Sequence, residues 1–145
     1  MIKSSLTLDE ILEILDDISC DYEVCEDQEA LSCYIDCDLF GADFTILPWG
    51  SGPFYKEFTF EAIRHPEIDP ETMCTQFNKL NSFATAFPVD LNENDEDEDT
   101  SDFVVAIKKM FSIDGGVTSE YVKNTIELWA GMLLHPVCFF EGPTI

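Results

Sequence analysis

The chain has 145 residues, 46% of them hydrophobic and twelve of them Phe, which suits one domain, residues 1–145, with a single core. Thirty acids against seven bases give a formal charge of -23. Such a surface repels nucleic-acid phosphates and anionic membranes, so direct DNA or RNA binding is not expected, and salt-dependent encounter with a basic protein is favoured.

The first segment, MIKSSLTLDEILEILDD, lacks the unbroken apolar region and small-residue cleavage site of an export signal. No stretch approaches the roughly 18 apolar residues of a membrane span. The expected location is the cytoplasm, and there the cysteines at 20, 25, 33, 37, 74 and 138 stay reduced. The first helix is expected to begin after Thr7, because Glu10 stands three residues on as in a capping box, with Leu6 and Ile11 spaced for a hydrophobic staple. Leu8, Ile11, Leu12, Leu15 and Ile18 form its predicted apolar stripe.

Four strands follow in YEVCED, LSCYIDCDL, DFTILPW and FYKEFTFEAI, separated by turn signals at DQEA, FGAD and GSGP. In the second of these, Leu31, Cys33, Ile35, Cys37 and Leu39 share one face, and Ser32, Tyr34, Asp36 and Asp38 share the other. Cys33 and Cys37 lie about 13 Å apart on a strand, too far for a disulfide or a shared zinc ion, so they read as small core residues.

A second helix opens at Asp69 as cap with Pro70 in its first turn, and Met73, Phe77, Leu80, Ala84 and Phe87 recur at helical spacing. Strands FPVDL and DFVVAIKKMFSI flank the run NENDEDEDTSD, which reads as a solvated acidic hairpin loop at 92–102. Gly115 and Gly116 then turn the chain into a third helix, with Thr118 or Ser119 as cap and Val122, Ile126, Trp129 and Leu133 along one side. Pro136 ends it. The predicted class is α+β, an antiparallel sheet with three helices in the order α-β-β-β-β-α-β-β-α.

This order, with Asn78, Asn81, Phe83 and Ala84 in FNKLNSFATAF and Gly115, Gly116, Val117 and Thr118 in IDGGVTSEYV, resembles the YbjN-like family of small bacterial proteins. The resemblance implies a type III secretion chaperone-like fold that is non-enzymatic and binds proteins, often as a homodimer, in a chaperone or regulatory role. Short acidic proteins of this size also serve as immunity proteins against basic nuclease toxins.

Chemistry-bearing motifs are sparse. His65 and His135 each precede a proline at the end of a regular element, outside any hydrolase, protease or metal pattern, so no catalytic residue, metal ligand or cofactor is expected. A cysteine enzyme built on a Cys–His pair is the weaker rival, since such partners meet only in space. The acidic run fails as a calcium loop. Counting from Asp95, the sixth position that needs Gly is Thr100 and the twelfth that needs Glu is Ala106; from Asp90 they are Asp95 and Ser101.

The expected protein-binding residues are therefore Asp95, Glu96, Asp97, Glu98 and Asp99 in the acidic run, Trp49 in the turn LPWGSGPFY, and Phe139 and Phe140 in the tail. The expected partner is a basic protein client: an effector, a toxin or a regulator. An alternative is a nucleic-acid mimic that occupies the site of a nuclease or DNA-binding regulator.

Overall fold

Thr7 sets the start of the first helix, α1 (Leu8–Asp17): its Oγ1 accepts from the Glu10 N–H at 3.2 Å, and Glu10 Oε1 accepts from the Thr7 N–H at 3.1 Å. This is the reciprocal capping box that the sequence predicts. Leu6 and Ile11 are both buried and line the same apolar pocket, so the staple is formed. The stripe is rotated slightly from the expected one. Ile11, Ile14 and Leu15 are the buried row, with Leu8, Leu12 and Ile18 half-buried beside it.

The computed structural model describes residues 2–27, 32–50, 52–66, 68–81, 83–90 and 103–134. Around α1 they form β1 (Ile2–Lys3), β2 (Asp21–Asp27), β3 (Ser32–Leu39), β4 (Ala42–Pro48), β5 (Glu57–Arg64), α2 (Pro70–Leu80), β6 (Thr85–Asp90), β7 (Phe103–Ser112), β8 (Val117–Thr118) and α3 (Ser119–Leu133). Six strands make one sheet in the order β2-β3-β4-β5-β7-β6, and the predicted α+β order of helices and long strands is the observed one. The sequence reading lacked only β1 and β8, which pair Ile2 with Thr118 and Lys3 with Val117. Two-residue strands carry no alternation to detect.

The chain forms two compact units, one from Met1–Phe60 with Met110–Leu134 and one around residues 61–109. In the first, strand alternation sends Phe44, Ile46, Phe58 and Phe60 inward to meet the helices. Trp129 of α3 is fully buried there, with its ring centroid 6.2 Å from Phe44 and 5.8 Å from Phe60, while Phe60 stacks on Phe111 at 5.8 Å. The predicted α3 stripe, Val122, Ile126, Trp129 and Leu133, is buried throughout, and Thr118 is the cap, accepting from the Tyr121 N–H. Lys123 ties α3 to Asp17 of α1 at 2.9 Å.

In the second unit, Asp69 caps α2 by accepting from the Thr72 N–H, and Met73, Cys74 and Phe77 are buried. The stripe expected to continue through Leu80, Ala84 and Phe87 does not: α2 stops at Leu80, which is 74% exposed, Ala84 lies beyond the helix, and Phe87 belongs to β6. Asn81 is the reason. Its side-chain oxygen accepts from the backbone N–H groups of Phe83 and Ala84, giving the chain a polar turn that competes with another helical turn. β6 and β7 are antiparallel neighbours with Asp90 opposite Phe103, the pairing that a hairpin connection requires.

Candidate protein-binding face

The helix-distal side of β2, β3 and β4 is set by alternation: Asp21 and Glu23 on β2, Tyr34, Asp36 and Asp38 on β3, Asp43, Thr45 and Leu47 on β4. Two bonds confirm the shared face. Asp36 accepts from Thr45 Oγ1 at 3.1 Å and from the Cys25 thiol at 3.7 Å.

The register then places like charges directly opposite one another. Asp21 faces Asp38, Asp38 faces Asp43, and Glu23 faces Asp36. Opposed side chains have Cβ atoms about 5 Å apart, where like charges repel. Asp21, Glu23, Asp36 and Asp38 make no ion pair with Lys or Arg among the described residues; the ion pairs there include Lys3–Glu10, Lys108–Glu61 and Lys123–Asp17, all on other residues. Nor do any three His, Cys, Asp or Glu side chains among the described residues converge as metal ligands. The acids lie in rows rather than around a centre.

Trp49, the sequence-predicted anchor, continues this face past the end of β4. Its ring is 56% exposed, and its indole N–H donates to Thr59 Oγ1 at 2.6 Å. Thr59 is buried and its hydroxyl also lies 3.0 Å from Met110 Sδ, while Met110 itself is exposed. Trp49 is thus pinned without being covered. Asp95, Glu96, Asp97, Glu98, Asp99, Phe139 and Phe140, the other expected binding residues, lie outside the described residues, as do the loop at 92–102, Leu31, His135 and Cys138.

Cys20, Cys25, Cys33, Cys37 and Cys74 are free thiols. A hydrogen bond to Cys20 and burial push the Cys37 thiol up, and burial pushes Cys74 up, so neither is poised as a thiolate nucleophile. His65 is exposed and makes no hydrogen bond to a cysteine among the described residues. No helix among them is long and apolar enough to cross a membrane.

The comparisons with known proteins fall on the fold. The crystal structure of YbjN from E. coli, described as a candidate transcription regulator, is similar over 92% of this chain and 94% of that one, with a TM-score of 0.53 and 16% identity. The fold is YbjN-like. No protein-family model and no curated protein sequence matches the chain.

The YbjN-like resemblance noted at Asn78 now has a physical content. The Asn78 side-chain amide donates to the Ala86 carbonyl at 2.9 Å and its oxygen accepts from the Ala86 N–H at 2.8 Å, so it closes the backbone of β6, an end strand of the sheet. The acid rows of β2–β4 were missed as a site. A sequence signal existed: no Lys or Arg occurs between Lys3 and Lys56. What the sequence could not supply was the register that opposes those acids.

Proposed function

We propose that this chain is a non-enzymatic protein-binding module of one domain, chaperone-like or immunity-like, whose acidic sheet face engages a basic protein client. The observation that carries the reading is the set of like-charge pairs across β2, β3 and β4. Opposed acids weaken a sheet, so this arrangement costs stability in the isolated chain and is relieved when cations dock on it. YbjN's description as a candidate regulator and its shared fold support a protein-binding rather than a catalytic role for this chain. Free thiols at Cys20, Cys33 and Cys37 suit a reducing cytoplasm.

Two properties should move in opposite directions when a row is neutralised. Asp38→Asn should stabilise the isolated chain by about 0.5–1 kcal/mol, because Asp38 faces both Asp21 and Asp43, and it should weaken binding of a basic protein. Calorimetric affinity should fall steeply from low to physiological ionic strength. Salt-independent affinity, or an Asp38→Asn chain that loses stability while keeping its affinity, refutes the reading. The same titration with duplex DNA as competitor separates a client-binding face from a nucleic-acid mimic: only the mimic shares its partner's DNA site.

A further inference from the structure

Resting on the reading of this face as a surface for basic proteins, we propose that Trp49 and Glu57 form the seat for one arginine side chain of the partner. The Trp49 backbone N–H donates to the Glu57 carbonyl at 2.9 Å, which makes the two residues cross-strand neighbours. Glu57 stands two residues from Thr59 on β5, so alternation puts its carboxylate on the side where Thr59 receives the indole N–H. A pinned, exposed indole and a carboxylate therefore sit next to each other, with the exposed Met110 thioether beyond Thr59.

A guanidinium is planar, so it stacks on an indole face while its in-plane N–H groups still reach a carboxylate; an ammonium is a hydrated point charge and gains less from the ring. The seat is not filled from within the described chain. The cations over rings there are Lys108 on Phe87 and Lys109 on Phe83, and Glu57 makes no ion pair among the described residues. Charge complementarity selects the occupant: an apolar partner segment would cover Trp49 only by desolvating Glu57, whereas a basic segment matches both Glu57 and the acid rows of β2–β4.

The two tryptophans make the test direct, because Trp129 is fully buried and Trp49 is exposed, so emission at the red edge reports Trp49. Titration with an oligoarginine peptide should quench and shift that emission. Trp49→Leu and Glu57→Gln, the second chosen to leave the indole anchor intact, should each weaken oligoarginine about fivefold by labelled-peptide anisotropy. Both should leave oligolysine of equal length within about twofold. Wild-type affinity for oligoarginine in the two folded variants, with salt-sensitive binding retained, overturns the arginine seat and leaves the acidic-face reading standing. Absence of salt-sensitive binding of either peptide to the unaltered chain overturns that reading and the seat with it.

Discussion

Replacing Asn78 with Ala tests whether the amide clamp on β6 is a structural device. The substitution removes two hydrogen bonds, of 2.9 and 2.8 Å, to the carbonyl and N–H of Ala86. Each bond contributes about 1 kcal/mol net, since water can partly replace it at a half-buried strand end. Ala gains about 0.5 kcal/mol of helix propensity over Asn in α2, so the balance is a loss of about 1.5 kcal/mol. For a chain of this length that lowers Tm by about 4 °C. Asn78→Asp is the sharper companion: a carboxylate still accepts from the Ala86 N–H but turns an acceptor toward the Ala86 carbonyl, so it should cost at least as much as Ala. Circular-dichroism melts give the stability, and amide exchange gives the site, with the Ala86 N–H losing protection in both variants. An Asn78→Ala chain within about 0.5 kcal/mol of the parent, its Ala86 amide still protected, would refute the clamp.

Two further outcomes follow from local geometry. Phe40 and Gly41 join β3 to β4 with φ of 59° and 88°, the type I′ geometry that favours Asn-Gly, yet Phe40 is a bulky residue that is 60% exposed; Phe40→Asn should raise the denaturant midpoint by the equivalent of about 1 kcal/mol, and a lower midpoint would show that the ring packs usefully. The Glu10 carboxyl is held below the usual glutamate range by Lys3 at 2.8 Å and by the Thr7 N–H, so its folded pKa lies below its unfolded one. Its contribution is present above the unfolded value and is lost as pH falls through the folded one. Glu10→Gln should therefore narrow the stability gap between neutral pH and about pH 3, as read by urea melts, and an unchanged gap would remove Glu10 from the acid response.

What was legible in the sequence was whatever a residue states within a few neighbours. Thr7 with Glu10 announces a capped helix, Asp69 with Pro70 another, and the alternation through Cys33, Ile35, Cys37 and Leu39 announces a one-sided strand. The end of α2 was misjudged because periodicity continued to Ala84 and Phe87, and a local side-chain bond from Asn81 overrode it. The Trp49 ring was recognisable as exposed from its Pro and Gly neighbours, but its pinning by Thr59 depends on the pairing of β4 with β5, ten residues apart in the chain. Likewise Asp21, Asp38 and Asp43 read as three scattered surface acids until the register lines them up.

That row also bears on why the acids are there. Sheets protect their end strands from stray pairing, and this one does so by two means: Asn78 occupies the backbone of β6, and carboxylates line β2. Protection of β2 accounts for Asp21 and Glu23. It does not account for Asp36, Asp38 and Asp43, which lie on β3 and β4, strands already paired on both sides. There the backbone needs no guarding; Asp36 does accept from Thr45 and Cys25, and Asp38 from the Gly41 N–H, but like charges directly opposite still repel across the pairing. On the function proposed above, a cationic protein surface docking from β2 across to the pinned Trp49 would neutralise the charge kept at these positions, using groups already exposed on one face.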